Sequence, residues 1–391
     1  MLTLLSEQND KRITQKRKRR TRITMGLANK LAAPQIKKLV AYQSARRIGG
    51  IGNNYLNANE SPYPAYQMPI QESWQRYPDF LPGDLTAKYG LYSGTPSDCV
   101  LTTRGADEGI DLLIRAFCEP NKDSIVINTP TYSMYDFIAE AHQVSIAKIA
   151  LTPGDFKLDV PAYGALTAQP KIILLCHPNN PTGSIVSKNN MKNIIEIASK
   201  NNCWLLSDEV YRGAELNGVE SPSFYGTYDK TIVNAGLSKA YRLPGLRIGW
   251  TVGPEDYIKK AWAFHDYTSI SIAYHSDWVA SKVLDTKRRN KILDGTKSHL
   301  NQNMNTLLDW VNTCDGKLSL SPPQAGAIAF SRINIDIESQ DLTYHIRDNF
   351  SVLLTAGKWF GLEGFLRFGY GPPNDYLLKA LERIGHSLDA I

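Results

Sequence analysis

No apolar run in the 391-residue chain approaches the roughly 18 residues that a membrane-spanning helix requires, so none is expected to cross a bilayer. Cysteine is scarce and dispersed: Cys99, Cys118, Cys176, Cys203 and Cys314 form no CxxC pair and no metal-ligand spacing. Such an odd, scattered set argues against a disulfide framework and fits reduced thiols in a cytoplasm. Internal repeats are absent, as is low complexity outside the first residues, which sets aside solenoids and fibrous arrays. Excess charge is missing from most of the chain as well. The net charge is +6, yet residues 1–24 carry eight basic and only two acidic side chains, so the rest balances to zero.

That basic tail bears on the possible partners. Its KRKRR run (residues 16–20) lacks the amphipathic spacing of a transit peptide. So short a segment makes no helix-turn-helix, and charge alone gives only salt-sensitive, sequence-neutral binding to nucleic acid. A DNA-binding regulator is therefore the weakest of the readings. The tail is expected to be a solvated arm, and a start at Met25 would leave it out altogether.

What is present is a 42% hydrophobic composition, ample for a large core and more than one domain. From about residue 97 to 255 short β-branched runs alternate with amphipathic stretches, the pattern of βα units around a parallel sheet. Strands are expected at Val100–Thr103, Ser124–Asn128, Lys171–Leu175, Trp204–Leu206 and Thr231–Val233. A helix follows Gly105, with Ile110, Leu113, Ile114 and Phe117 at i, i+3, i+4 and i+7. Beyond 255 helical patterns run to about Leu308. Strand-like segments then appear at Ile328–Ile333, Val352–Leu354 and Leu366–Phe368, with a last helix near Asn374. The expected division is a tail over 1–32, an arm and small-domain segment over 33–70, a large domain over 71–285 and a small C-terminal domain over 286–391.

Each of the first five strands ends in a polar or glycine-rich segment, and ligands of open α/β sheets bind beyond the carboxyl ends of strands. The residues delivered there suit pyridoxal 5′-phosphate (PLP), which needs an amine, a carboxylate at its ring nitrogen, donors to its phenolic oxygen, an aromatic platform and a phosphate cradle. Lys239, in GLSKAYRLPGLRIGW, supplies an amine that neighbouring cations and desolvation would make nucleophilic. Ser238 and Arg247 can bind phosphate, the arginine through its planar fork. Asp208, in LLSDEVYRG, supplies a carboxylate at a strand end, although aspartate at a strand-to-helix junction is often only a helix N-cap. Tyr211 and Asn180 can donate to the phenolic oxygen, and Tyr132 can stack on the ring. Gly105, Ala106 and Asp107 open a helix whose free N–H groups suit phosphate. Arg367, in LRFGYG, can pair with a substrate carboxylate when the second domain closes.

Taken together, RGADEG, PTY, NNPTG, SDEVY, GLSKAYRLPGLRIGW and LRFGYG resemble the class I/II aminotransferases of PLP fold type I, in order and spacing, over nearly all of residues 33–391. The resemblance implies that Lys239 forms the Schiff base and shuttles the proton. It makes Tyr132, Asn180, Asp208, Tyr211, Ser238 and Arg247 the cofactor ligands, beside the phosphate-binding helix start at Gly105, Ala106 and Asp107, and Arg367 the ligand of the substrate carboxylate or its counterpart. It also implies a homodimer with shared active sites.

YQSARRIGG, LNANESPYP, RYPDF and TRGADEGIDLLIRAFCEP resemble the histidinol-phosphate aminotransferases in particular, which would place Tyr42 and Tyr77 near the substrate. The second half departs from that subfamily. GLSK and DEVY replace its usual TLSK and DEAY, and NFSVLLTAGKWFG lacks its phosphate-binding arginine, leaving Lys358 as the only cation there. HDYTSIS and AGKWFG are closer to aspartate-type aminotransferases and the capreomycidine synthase group, whose members include enzymes that eliminate and cyclise. Transamination of an L-amino acid or of histidinol phosphate is thus the leading expectation, and a PLP lyase or cyclase is the alternative.

Overall fold

The computed structural model describes residues 53–57, 78–79, 81–166 and 168–391. The basic tail, Tyr42 and Tyr77 lie outside the described residues. The elements run β1 (Asn54–Tyr55), α1 (Gly83–Ser93), β2 (Val100–Thr103), α2 (Ala106–Phe117), β3 (Ser124–Thr129), α3 (Met134–Ala141), β4 (Ser145–Ala150), β5 (Ile172–Cys176), α4 (Lys188–Lys200), β6 (Trp204–Asp208), β7 (Thr231–Gly236) and β8 (Gly249–Val252). They continue with α5 (Glu255–Ser269), α6 (Tyr274–Val283), α7 (Thr286–Asn312), β9 (Leu318–Leu320), β10 (Ile328–Ile333), α8 (Ser339–Phe350), β11 (Val352–Leu353), β12 (Thr355–Ala356), β13 (Phe365–Gly369) and α9 (Asn374–Asp389).

The large sheet has the order β2-β8-β7-β6-β5-β3-β4. Strands β7, β6, β5, β3 and β4 are mutually parallel. Strand β8 is antiparallel to both its neighbours, so β2 points the same way as the parallel set. A strand turns alternate side chains to opposite faces, and apolar residues at successive positions supply a core on each side. Ile125, Ile127, Ile172, Leu174, Leu206 and Ile232 fill one, against the Ile110, Leu113 and Ile114 stripe of α2. Val126, Ile173, Leu175, Leu205 and Val233 fill the other. Each such side chain contributes about 1.5–3 kcal/mol on burial. The polar residues at the strand ends are thereby held on a rigid frame.

A smaller antiparallel sheet, order β12-β13-β10-β9, carries Arg367 on β13. The expected architecture, a mostly parallel sheet between helices with a smaller α/β unit, is what the chain adopts. Two local expectations are corrected. Val352–Leu354 is not one strand: β11 pairs with β1, while β12 pairs with β13 in a different sheet. Nor does a helix follow Asp208, where residues 210–213 are turns, so its carboxylate is not a helix N-cap.

Candidate active site

The six strands that share one direction, β2 to β7, bring their carboxyl ends to the same edge of the large sheet. Asp208 ends β6 with its side chain buried. Its Oδ2 accepts a 2.7 Å hydrogen bond from the Tyr135 hydroxyl and its Oδ1 one of 3.3 Å from the Val210 N–H. Burial pushes the carboxyl up to about 6, with those two donors and the Lys239 ammonium acting in the opposite direction. The neighbouring Glu209 is buried too and is pushed up to about 7. A carboxylate in this position, with lone pairs to spare on both oxygens, is suited to a cationic ring N–H.

Asp208 titrates in the folded, cofactor-free protein about two pH units above the usual 3.8. The native state then binds this proton more tightly than the unfolded chain does, so the associated stability is present below about pH 4 and lost as pH rises through 6. The loss amounts to roughly 3 kcal/mol at about 1.4 kcal/mol per pH unit. Urea midpoints of the cofactor-free protein should accordingly fall between pH 4 and 6. Asp208→Asn should make that limb shallower, the remaining slope belonging to Glu209, whereas an unaltered slope in the variant would assign the loss to other groups.

The phosphate-binding candidates gather at the start of α2. Gly105 precedes the helix at φ +94°, and no side chain caps the first turn. A Cβ on Gly105 would lie 2.9 Å from Arg247 Nη2, so the bare glycine backbone is what lets the guanidinium lie over the helix start. Asp107 accepts from the Tyr132 hydroxyl at 3.3 Å. Its carboxyl is raised by burial, against the opposing effects of Arg247, Tyr132 and Lys239. Lys239 is half-buried in the turn after β7, and its charge acts on both Asp107 and Asp208. The amine therefore stands within electrostatic reach of the cradle at one end and the buried carboxylate at the other.

Tyr132 is half-buried and packs edge-on against Tyr135, ring centroids 5.5 Å apart. Ser238, also half-buried, adjoins Lys239. Tyr211 is buried, its ring against the bare backbone of Gly326. Arg367 is buried and donates to Asn180 Oδ1 at 2.9 Å, the Asn57 carbonyl at 2.8 Å and Thr355 Oγ1 at 3.3 Å. Its guanidinium carbon sits 4.8 Å from the centroid of the Phe360 ring. The predicted acid-binding arginine and the predicted phenolic-oxygen donor are thus in direct contact.

Lys358 is not among the residues brought together. It is exposed, lies 3.7 Å from Glu338 and lines a separate open cleft of about 610 Å³ with Asp136, Lys148 and Trp359. Three contributors escaped the reading of the sequence. Tyr135 follows Tyr132 by one helical turn in TYSMY, a spacing that could have flagged it. Asn57 belongs to LNANESPYP but enters through its carbonyl, and Thr355 is indistinguishable by sequence from any strand threonine.

The model of the class I and II aminotransferase family matches residues 53–384. The chain belongs to that family. Among curated proteins, it is 39% identical over 230 residues to the histidinol-phosphate aminotransferase of Buchnera aphidicola, covering 59% of this chain and 64% of the relative. It is 41% identical over 232 residues to that of Serratia proteamaculans, covering 58% and 62%. These matches span less than two thirds of the relatives' length. A PLP-dependent aminotransferase of Streptococcus suis superimposes with a TM-score of 0.74 at 26% identity, over 83% of this chain and 84% of that one. An alanine aminotransferase of Pyrococcus furiosus gives 0.80 at 21% identity, over 92% and 100%, a likeness of fold.

PLP is the cofactor this family membership implies, and the residues present fit it. The uncapped helix start under Arg247 would take the phosphate, buried Asp208 the ring nitrogen and Lys239 the aldehyde carbon. Among the described residues no group of His, Cys, Asp and Glu could hold a metal ion, and no helix is long and apolar enough to cross a membrane.

Proposed function

We propose that the protein is an aminotransferase that exchanges an amino group between an L-amino acid and a 2-oxo acid, with Lys239 as the catalytic residue. The observation that carries this reading is that Lys239 acts electrostatically on both the buried Asp208 carboxylate and Asp107, beside the helix start that Arg247 covers. When bound, PLP supplies an electron-withdrawing ring that acidifies the Cα–H of an amino acid joined to it. Asp208 would keep a positive charge at the ring nitrogen, and Tyr135 would orient that carboxylate. The Lys239 amine would take the Cα proton and return it to the cofactor carbon, acting as general base and then general acid. Arg367 would fix the substrate acid group, while Tyr132 would exclude water from one ring face. Tyr211, Asn180 and Ser238 would donate hydrogen bonds to the cofactor.

An α-carboxylate suits Arg367 because a single planar fork binds it bidentately. Histidinol phosphate is the second reading, supported by the names of the relatives at about 40% identity, but Lys358 is turned toward Glu338 rather than toward Arg367. Stopped-flow spectra of the PLP-loaded protein with aspartate, alanine, aromatic amino acids and histidinol phosphate test the proposal. Conversion of the visible band to a stable pyridoxamine form near 330 nm, an order-of-magnitude position expected for cofactor chemistry, identifies an amino donor. Release of ammonia or a cyclised product with the band regenerated would instead indicate a lyase or cyclase.

The enzyme is also proposed to work as a homodimer. Tyr267, Phe264 and Ile270 near the end of α5 are 88%, 40% and 36% exposed, an apolar surface of the sort an interface covers. Sedimentation should give twice the chain mass, with Tyr267→Asp shifting the population toward monomer. A wild-type monomer at micromolar concentration would overturn this. A cytoplasmic location is supported by the five cysteines, all of them free, and cell fractionation tests it.

A further inference from the structure

Helix α7 is 27 residues long, about 40 Å at 1.5 Å per residue. Three of its buried residues are polar and lie seven apart: Arg289, Thr296 and Asn303, at 7%, 3% and 0% exposure. Seven residues is close to two helical turns, so the three form one stripe along a single face. Burying polar groups costs free energy unless each finds a partner, and here the partners fall into two sets.

The first two residues hold the turn that carries Lys239. Thr296 Oγ1 donates to the Ala240 carbonyl at 2.9 Å, one residue past the lysine. Arg289 Nε donates to the Tyr241 hydroxyl at 3.0 Å, and its Nη2 to Glu220 at 2.5 Å. The same guanidinium lies 4.0 Å from the centroid of the Tyr92 ring. The turn closes on itself through Leu243 N to Leu237 O at 3.0 Å and Arg242 N to Lys239 O at 3.1 Å. The third residue holds the segment that follows Arg367. Asn303 Nδ2 donates to the Tyr370 carbonyl at 2.7 Å and the Pro372 carbonyl at 2.6 Å, and its Oδ1 accepts from Asn374 at 3.1 Å. His299, between the two sets, lies 2.8 Å from the Gly371 carbonyl.

We infer that α7 is a strut that sets the position of the Lys239 turn against that of the Arg367 strand, with Thr296 and Asn303 as positioning residues that touch neither substrate nor cofactor. The inference rests on the reading of Lys239 as the PLP lysine. A helix of packed backbone hydrogen bonds resists compression far more than a loop does. Displacement of β13 when an acid group docks on Arg367 therefore reaches the Ala240 carbonyl through one rigid element. The direct Arg367–Asn180 contact connects the acid site to the cofactor's phenolic side, whereas the strut connects it to the amine. Transmission of this kind requires an element biased by both sites, and α7 is hydrogen-bonded to the flanks of both.

The test compares wild type with Thr296→Val, which keeps the shape and removes the donor, and Thr296→Ser, which keeps the donor. Three readouts are taken on PLP-loaded protein: amide exchange over residues 237–243, the pH midpoint of the visible band with and without the unreactive dicarboxylate maleate, and kcat against KM. The strut predicts that Thr296→Val speeds exchange in that turn by about tenfold, the loss of one net hydrogen bond of about 1 kcal/mol or slightly more. It also predicts that the maleate-induced change in the band midpoint shrinks, kcat falls and KM stays within about twofold, as expected when positioning rather than uniform binding is lost. Thr296→Ser should restore all three. A maleate response in Thr296→Val equal to wild type, with exchange unchanged, overturns the inference. Absence of a borohydride-stable PLP adduct on Lys239 in wild type would instead overturn the reading beneath it. Should Thr296→Val fail to fold, Asn303→Asp, which keeps the acceptor but loses the donor, is read by the same maleate response.

Discussion

Lys239→Ala should lose turnover by about a millionfold, the order seen when the nucleophile of a catalytic unit is removed, and should lose the visible band of the covalently held cofactor. It should still bind PLP, because the cradle of Gly105, Ala106, Asp107 and Arg247 and the Asp208 carboxylate are untouched. Spectra and equilibrium dialysis separate the two effects. Retained turnover would remove Lys239 from the chemistry, whereas loss of PLP binding along with the band would show that the cradle contributes less than its geometry suggests. The variant should fold normally, since the side chain is only half-buried and the turn is held by backbone bonds and by α7.

Arg367→Ala is the second large expected effect. The substitution removes the guanidinium that Asn180, the Asn57 carbonyl and Thr355 surround. Losing one partner of a buried, charge-assisted contact costs about 2–5 kcal/mol, so kcat/KM for an amino acid should fall by roughly 30- to 4,000-fold at 1.4 kcal/mol per decade. The acceptors left behind should also lower the thermal midpoint, each unsatisfied buried group costing about 1–3 kcal/mol. Arg367→Lys should recover part of the stability and little of the activity, because an ammonium cannot present a planar fork. Equal kcat/KM in wild type and Arg367→Ala would move the acid-binding role elsewhere.

The parts of this molecule that were legible in the sequence are those where one local pattern dominates. Val100–Thr103 is a continuous apolar or β-branched run, and Ile328–Ile333 opens with the apolar Ile-Ala-Phe; both form strands over those residues. Ser145–Ala150 is a sheet-edge strand in which only one of six residues is buried, so hydrophobic patterning does not mark it. Gly249–Val252 is only four residues long and begins with glycine, yet it closes the large sheet by running against both neighbours. Nothing local marks that direction. The boundary drawn at residues 285 and 286 falls at the N-cap of α7, where the Asp285 side chain accepts from Arg288 N. Of the candidate site, the residues whose proposed chemistry lies in the side chain, including Lys239, Asp208, Arg247 and Arg367, could be singled out from the sequence. Those that act through a carbonyl or by support, such as Asn57, Tyr135 and Thr296, emerge only once long-range contacts are formed.

The contrast between the two halves bears on substrate. The first half resembles the histidinol-phosphate aminotransferases, whereas Lys358, the cation of the NFSVLLTAGKWFG segment, lies 3.7 Å from Glu338 and lines a different cleft. Arg367, the proposed acid ligand, is buried with its guanidinium against the Phe360 ring. One arginine satisfies a carboxylate fully but a phosphate only in part, which is the physical basis for preferring an α-amino acid.

The most direct test of the central claim is borohydride reduction of the PLP-loaded protein followed by peptide mass mapping. A single phosphopyridoxyl label is expected, on the peptide containing Lys239. A label on any other lysine, or none in protein that has bound PLP, would contradict it.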